Sequence, residues 1–165
     1  MSPLKIVIAD DHAAVRRSLR LLMECESDLE VVAEASNGPE TIRAVQNLQP
    51  DLLILDIKMP EMTGLEVLQY LRNEKHSLAI IILSNHREQF YVAAALRLGA
   101  DAFVAKSAGL DVLLEAIRIL RQKMPLCLPE HAVQNAGQDS TRSGHLHIET
   151  MADFQEARRK WFEAG

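Results

Sequence analysis

At 165 residues the chain has room for one compact domain and a tail, which excludes two ordinary domains, and with 48% apolar but only 4% aromatic residues its core must be aliphatic. The net charge of −5 lies in the front: residues 1–120 carry 12 Lys/Arg against 17 Asp/Glu, and residues 121–165 carry 6 of each. Neither part offers the concentrated basic field of a nucleic-acid binder. Cys25 and Cys127 have no CxxC spacing and read as reduced thiols. With no apolar run of membrane-spanning length and no signal-like start, a soluble cytoplasmic protein is expected.

In chain order, short β-like runs alternate with helical patterns. The first strand is expected at Leu4–Ala9, followed by a helix over residues 13–25 with Val15, Leu19, Leu22 and Met23 on one face. A second strand at Leu29–Ala35 leads into a Ser36-Asn37-Gly38 turn. Pro39 suits the first position of a helix over 39–48. After Pro50 come a strand over 52–56 and a helix over 64–72, with Leu65, Leu68 and Leu71 on its inner face. A continuous Ala/Ile/Leu run over 78–83 has the character of a strand buried on both faces. A helix over 88–98 stops at Gly99, the last strand is Ala102–Ala105, and a fifth helix covers 111–121.

Five such alternations imply an α/β fold, a doubly wound five-stranded parallel sheet. The expected order is flavodoxin-like, 2-1-3-4-5, with a ligand crevice where strands one and three diverge. This unit is placed at residues 1–123. Residues 124–149 read as a linker able to carry a short helix over 129–136, with a mobile stretch over 138–147. A C-terminal amphipathic helix is expected over 150–165, capped by Thr150, with Met151, Phe154, Ala157 and Trp161 as its apolar stripe.

Four of the apolar runs stop at chemically active residues: Asp10 and Asp11, Asp56, Ser84, and Lys106. On one sheet edge the three carboxylates would repel, and some would be protonated unless a cation joined them. Mg²⁺ suits such a site, because it takes one or two carboxylates, keeps waters and completes its shell with phosphate. Asp56 could then attack phosphorus to give an aspartyl-phosphate, with Lys106 offsetting oxygen charge and the Ser84 hydroxyl donating to the phosphoryl group. Singly each residue has a plainer reading: Asp10 and Asp11 as helix caps, Ser84 as a turn residue, Lys106 as a solvated charge. The spacing of the set carries the argument.

The motifs IVIADD over residues 6–11, LILDIKMPEMTG over 53–64, IILS over 81–84, then Gly99-Ala100-Asp101-Ala102-Phe103 and Lys106, resemble the receiver domain of two-component response regulators. The resemblance spans roughly residues 4–120. It implies that Asp56 is the phosphoacceptor, that Asp10 and Asp11 organise Mg²⁺ with Asp56 and the Lys58 backbone carbonyl, and that Lys106 contacts the phosphoryl group. Ser84 would be the switch hydroxyl and Phe103 the aromatic that turns inward with it; a core Phe is its plainer reading. Lys58 and His86, two residues beyond Asp56 and Ser84, would tune the phosphoryl lifetime. Either could equally be a solvated surface residue.

Asp10-Asp11-His12, Ala35-Ser36-Asn37-Gly38 and Ser84-Asn85-His86 are similar to the LuxR-type subfamily, whose members normally carry a helix-turn-helix domain. The 45 residues from 121 to 165 are too few for one. The resemblance therefore implies a single-domain regulator taking a phosphoryl group from a sensor histidine kinase or histidine phosphotransfer protein. Its output would be a homodimer or another protein rather than direct nucleic-acid or membrane binding. It would not be a turnover enzyme. The alternatives are a DNA-binding regulator whose output domain lies outside this chain, and a Mg²⁺-dependent phosphohydrolase. The latter commonly needs an acid two residues beyond its nucleophile, where this chain has Lys58.

Overall fold

A computed structural model describes residues 2–85, 89–123 and 146–148 of the chain. The elements are β1 (Leu4–Ala9), α1 (Ala13–Glu24), β2 (Leu29–Ala35), α2 (Gly38–Leu48), β3 (Leu52–Leu55), α3 (Gly64–Asn73), β4 (Ala79–Ser84), α4 (Gln89–Arg97), β5 (Ala102–Ala105), α5 (Leu110–Lys123) and β6 (Leu146–Ile148). Every strand pair is parallel, and the order is β2-β1-β3-β4-β5-β6. The expected 2-1-3-4-5 core is present, with the switch in direction between β1 and β3.

The helices cover the sheet on both faces. Leu19 and Met23 of α1 and Val112, Leu113 and Ile117 of α5 pack with Ile6, Ile8, Ile54, Ile81 and Val104. On the other face, Val45 of α2, Val67, Leu68 and Leu71 of α3, and Val92 and Ala95 of α4 pack with Val7, Leu53, Ile80, Ile82 and Phe103. Alternate strand residues thus serve opposite layers, which is why β3 and β4 are buried throughout and read as unbroken apolar runs.

Local signals set the element ends. The Asn37 side chain accepts from the Glu40 N–H at the start of α2, with Pro39 in its first turn. Thr63 and Glu66 form a reciprocal capping box on α3, and the Thr63 hydroxyl and then its N–H, donating to the Glu66 carboxylate at 2.7 and 2.8 Å, hold that carboxyl below its ordinary range. The cap of α1 is His12, without a side-chain bond of its own, and its N–H donates to Asp10 Oδ1 at 2.9 Å, so Asp10 also serves the entry to this helix.

One expectation is corrected. Composition predicts a mobile linker over 138–147, yet Leu146–Ile148 is a sixth strand on the β5 edge, with Phe103 in register with His147. Three residues between Gly/Ser-rich sequence and a polar segment are too few for periodicity to register as a strand. The expected short helix over 129–136 and the amphipathic helix over 150–165 lie outside the described residues.

Candidate functional site at the carboxyl ends of the strands

The sheet register brings the expected residues to one crest. Ala9 pairs with Leu55, Leu55 with Ile82, and Ser84 with Ala105, so Asp10, Asp56, Ser84 and Lys106 all stand at the carboxyl ends of adjacent strands. The backbone continues the ladder there: the Asp10 N–H donates to the Ala35 carbonyl at 3.1 Å, and the Asp56 N–H to the Ala9 carbonyl at 2.8 Å. Asp10, Asp56 and Ser84 are three of only four buried polar or charged residues described, with exposures of 2%, 5% and 0%. Burial of polar groups in this fold is thus concentrated at one place.

Lys106 reaches into that crest. Its Nζ lies 2.5 Å from Asp10 Oδ2 and 3.3 Å from Asp56 Oδ1. Burial raises the Asp56 carboxyl above its ordinary range, and the nearby Asp10 charge adds to this, while Lys106 opposes both. The one ammonium therefore does not fully offset the cost of holding a charged Asp56 in this buried place.

Asp11 is exposed and continues the acidic edge. With Asp10 and His12 it forms a group whose ligand-type atoms lie within 4.8 Å of one another, the His12 Nδ1 being 2.6 Å from Asp11 Oδ1 and 3.3 Å from Asp10 Oδ1. Hard carboxylate oxygens with net negative charge suit a small divalent cation such as Mg²⁺. His12 was not singled out as a site residue, although it stands in the Asp10-Asp11-His12 run.

Two positioning residues also escaped the sequence reading. Arg16 Nη1 donates to the Asp10 carbonyl at 2.7 Å, and Arg16 and Arg20 both bind the Glu34 carboxylate, at 3.3 and 2.5 Å. Chiefly through Arg20, these bonds hold Glu34 below its ordinary range and tie α1 to β2 beside the crest. Gly64, last in the β3–α3 motif, sits so close to the loop that an added Cβ would lie 2.0 Å from the Asp56 carbonyl oxygen. Its own N–H donates to the Ile57 carbonyl at 2.8 Å. The motif displayed this glycine, but only the folded loop reveals what it touches.

Of the remaining expected residues, Phe103 is fully buried beneath α4, and Lys58 is exposed on the loop leaving Asp56. His86 lies outside the described residues. Beside Lys106, α1 and α5 flank an apolar cleft of about 290 Å³ lined by Val15, Leu19, Leu83, Leu110 and Leu113.

A doubly wound parallel sheet with an acidic, lysine-bridged crest at its topological switch point defines a domain built for phosphoryl and divalent-cation chemistry. Residues 6–118 match the response regulator receiver domain family, and the chain belongs to that family, the receiver of two-component signalling. It is 40% identical over 117 residues to the nitrate/nitrite response regulator protein NarL of Escherichia coli strain K12, covering 70% of this chain and 53% of that one. It is 35% identical over 113 residues to the transcriptional regulatory protein YdfI of Bacillus subtilis strain 168, covering 68% of this chain and 53% of that one. Among solved structures it is similar to a DNA-binding response regulator of the LuxR family from Staphylococcus aureus, with a TM-score of 0.69 and 31% identity over 71% of this chain and 98% of that one. The chain spans about half the length of the first curated relatives it matches. No helix among the described residues is long and apolar enough to cross a membrane.

Proposed function

We propose that this receiver accepts a phosphoryl group on Asp56 from a histidine kinase or histidine phosphotransfer protein, and answers by changing a protein-interaction surface. The observation that carries the reading is the Lys106 ammonium lying between the buried Asp10 and Asp56 carboxylates. Asp10, Asp11, Asp56 and the Lys58 carbonyl would hold Mg²⁺, which when bound supplies charge neutralisation for the entering phosphoryl oxygens.

The chain's own groups do the rest. An Asp56 carboxylate oxygen attacks phosphorus, the bond from phosphorus to the donor nitrogen breaks, and the donor ring, already protonated on its other nitrogen, leaves as neutral imidazole with that electron pair. Burial favours this nucleophile by stripping its water, at the cost of a raised proton affinity that Lys106 partly offsets. Lys106 then compensates the phosphoryl oxygens, and Ser84 donates a hydrogen bond to one of them. Phe103, already buried under α4, keeps the inward place that this hydrogen bond favours. The apolar cleft between α1 and α5 gives a donor protein a surface that opens beside Lys106. The exposed Lys58, with His86, would set how long the acyl phosphate survives by controlling the approach of water.

The domain is on this reading a substrate with catalytic groups rather than a turnover enzyme. Intact mass measured after incubation with acetyl phosphate and Mg²⁺ should show one added phosphoryl group, absent in Asp56→Asn. Labelling that persists in the variant would sink the assignment. Multiple turnover of a small phosphoester would favour the phosphohydrolase reading instead.

A further inference from the structure

The least expected element of the fold is β6. A doubly wound sheet ends at β5, and a free strand edge offers unpaired N–H and C=O groups to any extended segment. Here that edge is taken: Ala102, Phe103 and Val104 pair in parallel with Leu146, His147 and Ile148. This is strand addition of the kind that peptide-binding sheets use, with the main chain supplying the bonds.

The pairing is built to be weak. From β3 to β4 to β5 the sheet grows outward with α3 and α4 on one face. From β5 to β6 it grows in the same direction, yet α5, the described part of the connection, lies on the opposite face with α1. A strand of only three residues has few ladder bonds to hold it and is easily exchanged for solvent. Its position matters because Phe103 is the middle residue of the pairing. A side chain leaving an uncovered edge strand would swing outward into water; with β6 in place, that lane is filled by a backbone about 4.8 Å away. Both the covered edge and the buried Phe103 occur together in this structure.

We propose that the outer edge of β5 is a strand-binding surface, that its occupant is the chain's own segment Leu146–Ile148, and that its occupancy is reciprocally coupled through Phe103 to the group on Asp56. The coupling rests on the function proposed above; the pairing does not. If both events favour an inward Phe103, phosphorylation tightens β6, and β6 by the same factor tightens the site's hold on a phosphoryl analogue.

The test uses the full chain with His147→Pro and Ile148→Pro. In a parallel ladder alternate residues bond to a given neighbour, so one of the two must remove a ladder bond. Both positions lie outside residues 4–123. Hydrogen exchange over β5 should quicken in at least one variant, and unchanged exchange in both would overturn the occupancy. Protection that disappears on dilution to monomer would assign the edge to a second copy and overturn the intrachain occupant. Beryllofluoride with Mg²⁺, as a phosphoryl analogue, should slow exchange over β5 and β6 in the parent chain. Its binding midpoint should be roughly fivefold higher in the variant that loses pairing, the lower end of the usual range of allosteric coupling. Equal midpoints, with binding still abolished by Asp56→Asn, would remove the coupling while leaving the proposed function standing. Failure of the parent chain to bind the analogue at all would instead remove the function on which the coupling rests.

Discussion

The two ends of the same sheet treat charge in opposite ways. At the amino ends of β4 and β5, Arg72 donates to the carbonyls of His76, Leu78 and Gly99 at 3.0, 3.0 and 2.9 Å and to Asp101 Oδ2 at 2.8 Å. Asp101 also accepts from the Ile80 N–H at 2.8 Å. A guanidinium meets a carboxylate here, and loop carbonyls take up further donors. At the carboxyl ends, one lysine faces Asp10 and Asp56 with Asp11 alongside, and burial works against Asp56 ionisation. The first end is balanced and fastens loops together. The second is left short of positive charge, which is what a site awaiting a cation and an anion requires.

The comparison breaks most sharply at Arg72. Arg72→Ala removes four hydrogen bonds and leaves Asp101 without its guanidinium, which should cost about 3 kcal/mol in chemical denaturation. Phosphorylation by acetyl phosphate should persist in the folded fraction, because nothing at the crest is touched. Loss of labelling in folded protein would show that the two ends are not separable.

Gly64→Ala attacks the crest through its backbone. The added methyl group cannot fit against the Asp56 carbonyl without moving the β3–α3 loop. A loss of about 2 kcal/mol is expected, together with at least a tenfold fall in labelling rate, a penalty typical of displacing a reacting group by an ångström. A variant that lost stability but kept its labelling rate would mean that the loop yields without moving Asp56.

How far these features were legible depended on their range in sequence. The strands and the crest residues follow from apolar runs and what ends them, since every member of the crest stands one or two positions past a run; the 2-1-3-4-5 order followed only from what is usual for five such alternations. Arg16, Arg72 and Glu34 gave no such signal. An arginine on a helix is a solvated charge until the fold delivers a carbonyl or a carboxylate to it: Arg72 finds Asp101 29 residues away, and Arg16 finds Glu34 18 residues away. β6 was illegible for a different reason. Its three residues become a strand only because the β5 edge is there to pair with them.

Lys106→Ala tests the imbalance from the cationic side. Removing the ammonium leaves two facing buried carboxylates, and stability in chelator should fall by about 1–2 kcal/mol, moderated because protonation can relieve the repulsion. Adding Mg²⁺ should raise the melting temperature of this variant more than that of the parent chain, and Mg²⁺ affinity should not collapse. If affinity did collapse, the lysine would be organising the metal site rather than sharing its charge.

Asp56→Asn is the gentlest change and carries the sharpest sign. Because burial raises the Asp56 carboxyl in the folded chain above the 3.8 of an unperturbed group, the fold binds a proton that the unfolded chain has already released. Stability from this group is therefore full below the ordinary carboxylate range and is lost as pH rises through the raised value. Asparagine carries no such penalty, and Lys106 keeps its partner Asp10 at 2.5 Å. In metal-free buffer at neutral pH the variant should thus be the more stable protein, by about 1 kcal/mol, the ordinary size of a single-residue effect. The gain should shrink as pH falls, and vanish once Asp56 is protonated in both states. Mg²⁺ should also narrow it, because a bound cation stabilises the carboxylate that the variant lacks. A destabilised Asp56→Asn at neutral pH would mean that Lys106 already balances the crest. The contrast between the two ends of the sheet would then lie in geometry alone.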